Sequence, residues 1–343
     1  MKKLYIRSVS GKVKGQGVDS AFLEHRKLMQ QSQKIQVVLE PKDHWDILHI
    51  HTFDPGSYFL MRKAKRKKKK VVVSCHVMPD SLVGSLKIPR WVMPFLVRYM
   101  IHFYNKADRL VVVNPFYKET LTKAGLRKEK VSYVPNYVSG ETFRPLAPDE
   151  KTHLRTKMGI KETDFLIVGA GQVQKRKGID DFVRTALLLP QYQFVWVGGF
   201  SFGKLTDGYE QYAKIMDNPP PNLRFTGIVD RSEVARYFQA ADVLFLPSYQ
   251  ELFPMTVLEA ANCHLPLLLR NIELYQEILS EHYLFGDSSE EFAEQLRRIQ
   301  EDTNLREAFQ THSRELSIIY SGVNVMKQWE ELYLHDKIWY NND

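Results

Sequence analysis

The chain has 343 residues, 44% hydrophobic and 26% charged, with 18 Gly and 16 Pro, which excludes a fibrous or largely disordered protein and, at about 150 residues per domain, suggests two domains. Cys75 and Cys263 stand far apart, so no disulfide framework or CxxC metal knuckle can form; Met1–Lys12 lacks the apolar core of a signal peptide, and Val92–Val97, an unbroken run in the most hydrophobic segment, is far shorter than the roughly 20 residues of a spanning helix. The formal charge of +8 is uneven: residues 1–150 carry 28 Lys+Arg against 13 Asp+Glu, a balance of +15, and residues 151–343 carry 20 against 27, a balance of −7.

Short Val- and Ile-rich runs read as strands at Leu4–Val9, Ile35–Glu40, Ile47–His51, Val71–Cys75, Leu110–Asn114 and Val131–Pro135. Helical patterns fall between them near Val18–Gln31, Ser57–Lys68, Pro89–Asn105 and Pro115–Ala124. The stretch Asn136–Glu150 holds Gly140, Pro145 and Pro148 without periodicity and reads as a linker. Beyond it the alternation resumes, with strands Phe165–Gly169, Phe194–Gly198, Leu223–Gly227, Val243–Pro247, Leu265–Leu269 and a weaker Tyr283–Phe285. Helices are expected near Gly178–Leu189, Arg231–Gln239, Pro254–Asn262, Glu273–Leu279, Glu290–Gln300 and Asn304–Ile319. Strands alternating with helices over this length imply α/β architecture: two doubly wound, Rossmann-like domains of parallel sheet, facing a central cleft. Ligands of such sheets bind beyond the carboxyl ends of strands, so the loops after each strand hold the candidates.

Four sets of residues stand out. Glu251-Leu252-Phe253-Pro254-Met255-Thr256-Val257-Leu258-Glu259 follows a strand, and Pro254 fits the first position of a helix whose free N–H groups suit a phosphate. Its two carboxylates, eight positions apart, suit sugar and ribose hydroxyls; the competing reading is that Glu251 caps the helix and Glu259 makes a surface pair. Gly169-Ala170-Gly171-Gln172-Val173-Gln174-Lys175-Arg176-Lys177-Gly178 also follows a strand. It is neither a dinucleotide fingerprint nor a Walker loop, but it offers a glycine turn and three adjacent cations, of which Arg176 and Lys177 could neutralise a diphosphate; a solvated basic loop competes. Gly15-Gln16-Gly17 after the first strand allows close approach to the backbone, or is a plain turn. His76 ends a strand and is a candidate hydrogen-bond or proton-transfer group, with His49 and His51 weaker candidates one strand earlier. Asp-x-Asp is missing throughout, so a carboxylate-held metal is not expected.

Taken in order, these pieces resemble the retaining GT-B glycosyltransferases of family GT4. The resemblance covers nearly the whole chain, including Tyr320–Tyr333, which looks like the family's last helix. Within the family, Lys12-Val13-Lys14-Gly15-Gln16-Gly17 and Gly171-Gln172-Val173-Gln174 with Arg176-Lys177-Gly178 look like bacterial enzymes that build diglycosyl-diacylglycerol, the glycolipid anchor of lipoteichoic acid. The resemblance implies a domain for the acceptor and the membrane at 1–140, a nucleotide-sugar domain at 141–320 and a returning helix at 321–343. It further implies a UDP-hexose donor, glucose or galactose, and diacylglycerol or glucosyl-diacylglycerol as acceptor, with no metal. Arg176 and Lys177 would hold the diphosphate and Glu259 the ribose. Glu251 would lie beside the transferred sugar, with backbone donors from Phe253, Pro254, Met255 and Thr256. Gly227 and Ile228 would sit near the uracil, His76 would touch the sugar, and Gly15, Gly17, Gly171 and Gln172 would approach the phosphates. Many relatives have Arg at Gln172 and Gly at Leu252. Retention is thought to proceed by attack from the leaving-group side, the diphosphate taking the acceptor's proton.

Two features of the first half point to a membrane. Arg62, Lys63, Lys65, Arg66, Lys67, Lys68, Lys69 and Lys70 form one basic run, which suits an anionic surface. In Ile88–Lys106 a narrow polar stripe of Arg90, Arg98, His102 and Lys106 is surrounded by apolar residues including Trp91, Phe95 and Phe103, as in a helix lying in a bilayer interface. The expectation is therefore peripheral attachment to the inner face of the cell membrane from the cytoplasm. Nucleic acid is not expected, because the cations are not interleaved with aromatics. The alternative is a soluble family member acting on a polysaccharide or small acceptor, for which Trp91, Phe95 and Phe103 would be buried.

Overall fold

The computed structural model describes residues 1–10, 17–42, 44–77 and 91–335. These form two compact units, one running up to Tyr137 and resuming at Tyr320, the other spanning Val138–Ile319.

The first unit holds β1 (Lys2–Arg7), α1 (Gly17–Gln30), β2 (Ile35–Val38), β3 (Ile47–Ile50), α2 (Pro55–Arg66), β4 (Lys70–Ser74), α3 (Met93–Lys106), β5 (Arg109–Val112), α4 (Tyr117–Lys123) and β6 (Val131–Tyr133). Its sheet is parallel, in the order β2-β1-β3-β4-β5-β6. Strands β3 and β5 are buried along their whole length, which is why they do not alternate apolar and polar residues. Helix α2 starts where Asp54 accepts a hydrogen bond from the Ser57 amide (3.0 Å) and Pro55 fits the first turn.

The second unit holds α5 (Pro148–Lys157), β7 (Leu166–Ala170), α6 (Ile179–Leu188), β8 (Gln193–Val197), α7 (Tyr209–Asp217), β9 (Leu223–Phe225), α8 (Arg231–Ala240), β10 (Val243–Leu246), α9 (Met255–Asn262), β11 (Leu267–Arg270), α10 (Glu273–Leu279), β12 (Leu284–Gly286), α11 (Ser289–Glu301) and α12 (Thr303–Ile319). Its parallel order is β12-β11-β10-β7-β8-β9. Helix α13 (Gly322–Leu334) then returns to the first unit, where Val325, Trp329, Leu332 and Tyr333 share one core with Leu4, Leu28 and Ile47.

Strand order reverses between β1 and β3 in one sheet and between β7 and β10 in the other, and these are the points where an open α/β sheet admits ligand. All twelve strand readings recur, shifted by a residue or two at the ends. The chain passes from one unit to the other inside the expected linker, at Tyr137–Val138, but the rest of that segment is packed: Phe143 is fully buried against Phe238 (ring centroids 6.0 Å apart), the Asn262 side chain donates to the Val138 carbonyl (3.0 Å), and α5 begins at Pro148. An aperiodic segment still packs when one large side chain anchors it.

Candidate functional site

In the second unit the loops after β7 and β10 meet. Gly171 leaves β7 at φ +137°, its amide donating to the Val197 carbonyl (3.0 Å) and its carbonyl accepting from Trp196 Nε1 (3.1 Å). The side chains that follow form a relay. Gln174 Nε2 donates to Gln172 Oε1 (2.6 Å), and Arg176 Nε donates to Gln174 Oε1 (3.0 Å), so two neutral amides aim the guanidinium. The Tyr249 amide donates to the Arg176 carbonyl (2.9 Å) and ties the two loops together.

Lys177 is buried, and its Nζ lies 2.6 Å from Oε1 of Glu251, which is buried too. Burial pulls the Lys177 pKa below the ordinary lysine value; the Glu251 carboxylate opposes this and the Arg176 charge adds to it. Gly178 follows at φ +70°, where a Cβ would lie 2.1 Å from the Pro247 carbonyl oxygen, so only glycine lets the β7 loop close onto the β10 loop.

The second carboxylate has its own cation, Arg231 Nη2, 3.2 Å from Glu259 Oε1. Glu259 is buried, so it is not a surface pair. Glu251 does not cap α9 either: Pro254 is the residue before the helix, with extended backbone, and Met255 is the first helical position. Pro254 thus stands one residue earlier than its expected place inside the helix, because its ψ of 119° turns the chain rather than continuing it. Phe253 and Met255 are buried and Thr256 half-buried. Gly227 lies beyond β9 at φ +68° and bridges to Gly198, with Ile228 exposed beside them.

Sequence reasoning missed the residues that hold the β10 loop. Arg270, at the end of β11, donates to the Pro247 carbonyl (3.1 Å) and the Asp287 carbonyl (2.7 Å), pairs with Asp181, and stacks 4.0 Å above the Tyr249 ring. Tyr249 OH donates to the same Asp181 (2.5 Å). Nothing in the local sequence links positions 181, 249 and 270.

In the first unit His76 is not a lone histidine. Its Nε2 lies 2.8 Å from His51 Nδ1, His51 Nε2 lies 3.0 Å from His25 Nδ1, His25 Nε2 lies 3.0 Å from Tyr333 OH, Tyr333 OH lies 2.6 Å from His49 Nδ1, and His49 Nε2 lies 2.8 Å from Ser74 Oγ. All are buried. Burial pushes His76 down to about 4 and His25 to about 3, and lowers His49 and His51 as well, so near neutral pH these rings are uncharged. Ring nitrogens of His25, His49 and His51 come within 4.8 Å of one another, as metal ligands do, but each already has a hydrogen-bond partner. Gly17 opens α1 with open space around its Cα; Gly15 lies outside the described residues.

The expected membrane residues divide. Trp91 is 74% and Phe95 70% exposed, and Arg98 is exposed, but Phe103 is fully buried. Met100, Phe103 and Tyr104 form the inward stripe of α3, Phe103 packing on Tyr58 of α2 at 6.2 Å between ring centroids; only the first turn presents aromatics outward. Arg62, Lys63, Arg66, Lys67 and Lys68 are exposed. Lys65 pairs with Asp108, Lys69 lies 3.8 Å from Asp46, and Lys69 and Lys70 are half-buried where the chain enters β4. Among the described residues no helix is long and apolar enough to cross a membrane.

Residues 18–141 match the family described as Glycosyltransferase Family 4, and residues 150–316 the family described as Glycosyl transferases group 1. The chain is 43% identical over 97% of its length, and 90% of the relative's, to the alpha-galactosylglucosyldiacylglycerol synthase of Streptococcus pneumoniae. It is 25% identical, over 97% of its length and 98% of the relative's, to the processive diacylglycerol alpha-glucosyltransferase of Acholeplasma laidlawii. In fold it is similar to the sucrose-phosphate synthase of Thermosynechococcus elongatus (TM-score 0.78, 16% identity, covering 97% of this chain and 98% of that one) and to Anabaena HepE in complex with UDP and glucose (TM-score 0.76, 16% identity, 97% and 99%). With two parallel sheets, paired loops at their switch points and these relatives, the chain belongs to the GT4 family of GT-B glycosyltransferases.

Proposed function

We propose that this protein transfers a hexose from a UDP-sugar to glucosyl-diacylglycerol, giving diglycosyl-diacylglycerol, with retention of anomeric configuration and without a metal. The observation that carries this reading is the buried Lys177–Glu251 pair at the β7–β10 switch point, beside an Arg176 aimed by Gln174. Breaking the bond to UDP builds negative charge on the diphosphate, and fixed cations oppose it without reorganising. Glu251 holds the ammonium in position; a diphosphate competes for it, and the Glu251 carboxylate is then left for the sugar hydroxyls. Deleting one such fixed donor typically costs about 10²–10³-fold in turnover.

We assign Glu259 to the ribose, Gly227 and Ile228 to the uracil, Gly15, Gly17, Gly171 and Gln172 to the phosphates, backbone of Phe253, Pro254, Met255 and Thr256 to sugar and phosphate, and His76 to the transferred sugar. His76 is neutral there and acts by hydrogen bonding, not by charge. The product in the name of the pneumococcal relative favours galactose as the hexose. The exposed Trp91 and Phe95 with Arg62, Lys63, Arg66, Lys67 and Lys68 form the surface that we assign to anionic lipid on the inner face of the cell membrane.

The test is product analysis after incubation with UDP-glucose or UDP-galactose and each of diacylglycerol, glucosyl-diacylglycerol and a soluble glucoside. A dihexosyl lipid is the expected product. Transfer to the soluble glucoside alone, with no flotation on anionic vesicles, would move the protein to the soluble-acceptor reading.

A further inference from the structure

The buried chain Ser74–His49–Tyr333–His25–His51–His76 joins the ends of two strands, β3 and β4, with helix α1 and the returning helix α13. A neutral imidazole has one N–H and one bare nitrogen, and the buried Tyr333 O–H can donate to only one of its two partners, His49 or His25, so with every donor inside the chain used, the chain is polarised as a whole. In one direction Ser74 donates to His49 Nε2, His49 Nδ1–H to Tyr333, Tyr333 O–H to His25 Nε2, His25 Nδ1–H to His51 Nε2, and His51 Nδ1–H to His76 Nε2. In the other direction every proton points back toward Ser74.

The two directions differ at the ends. In the reversed direction Ser74 accepts from His49, and its own buried O–H has no other acceptor among the described residues, a cost that buried hydroxyls rarely bear. In the forward direction every donor between Ser74 and His76 is used, and the one left over is the N–H at the His76 end, which is free for a ligand. The seven ring nitrogens within it are then fixed, and His76 Nδ1, the one outside it, carries a proton.

We propose that Ser74 and Tyr333 are positioning residues that hold His76 as the Nδ1–H tautomer, so that His76 offers a hydrogen-bond donor, not a lone pair, to an oxygen of the transferred hexose. This rests on the assignment of His76 to the sugar. It also gives α13 a part in the reaction: Tyr333, 284 positions from His49 and 308 from His25, is the link through which the far end of the chain is felt at His76. Trp329 of the same helix packs on His25, with ring centroids 4.2 Å apart, and keeps the imidazole in line.

The test is ring-nitrogen NMR of histidine-labelled protein, with His76 assigned from its loss in His76→Gln, combined with steady-state kinetics. Wild type is expected to show His76 as a single Nδ1–H tautomer. Tyr333→Phe cuts the chain; His76 is expected to become a mixture of tautomers, with kcat reduced about tenfold, one hydrogen bond's worth, and KM for the UDP-hexose unchanged. Ser74→Ala removes the bias from the far end and is expected to mix the tautomers too, so the proposal stays testable if Tyr333→Phe fails to fold. A His76 tautomer that is Nε2–H in wild type, or unchanged in both folded variants, would overturn the proposal, as would one equivalent of metal bound by His25, His49 and His51. Full turnover by His76→Gln would instead remove the sugar assignment, and the NMR arm would still decide the tautomer.

Discussion

The ammonium of Lys177 and the carboxylate of Glu251 lie 2.6 Å apart with both side chains buried. A pair of this kind punishes the loss of one member more than the loss of both, because the survivor is a buried, uncompensated charge. Lys177→Met alone should therefore lower stability by about 3–5 kcal/mol, and Lys177→Met/Glu251→Gln should recover most of it. Denaturant titration of the three proteins checks this. Equal stability of the single and double variants would mean that the pair is not coupled.

Gly178 and Gly227 have nearly the same φ, 70° and 68°, but different surroundings: a Cβ at Gly178 would sit 2.1 Å from the Pro247 carbonyl oxygen, and one at Gly227 would have nothing within 4 Å. Gly227→Ala should cost only the left-handed backbone penalty, about 1–2 kcal/mol. Gly178→Ala should cost several times that and separate the β7 and β10 loops, abolishing transfer. Thermal unfolding of the two variants side by side gives the answer, and similar midpoints would contradict the close approach.

Much of this was legible in the sequence because strand ends and their loops are local. The twelve strands, the cationic loop and the paired glutamates all sit where short apolar runs and their flanking residues put them. What was not legible depends on which faces meet. Helix α3 is apolar on most sides, so periodicity alone could not say that Phe103 turns inward and Phe95 outward. His25, His49, His51, His76 and Tyr333 each look ordinary in sequence, and only the parallel sheet and the returning helix gather them. Pro254 differed by a single residue, since a proline before a helix and one in its first turn leave the same trace.

The buried histidines make stability pH-dependent. His76 takes a proton only at about 4 in the folded protein, but near 6.5 when unfolded. Between those values the unfolded chain binds more protons, so stability is complete above about pH 6.5 and falls as the pH drops toward 4, by roughly 3 kcal/mol from this ring alone. His25, at about 3, adds in the same direction. Urea midpoints from pH 8 to 4.5 should fall accordingly, with a shallower slope in His76→Gln. A flat profile would contradict burial of these rings.

For the lipid surface, exposure separates the roles. Trp91→Ala/Phe95→Ala should weaken flotation on anionic vesicles with no change in melting temperature, whereas Phe103→Ala should cost about 3–5 kcal/mol of stability as a core residue. Neutralising Arg62, Lys63, Arg66, Lys67 and Lys68 should weaken vesicle binding by several thousandfold, at about 1 kcal/mol per charge, and added salt should weaken it too. Unchanged flotation in both variants would place the contact elsewhere.

Calorimetric titration of UDP into wild type, Arg176→Gln and Lys177→Met/Glu251→Gln, the last leaving no buried charge unpaired, tests the diphosphate assignment most directly. The account predicts tight binding to wild type and at least tenfold weaker binding to each variant, with no dependence on added divalent metal. Undiminished affinity in both variants would show that the diphosphate is held by other groups.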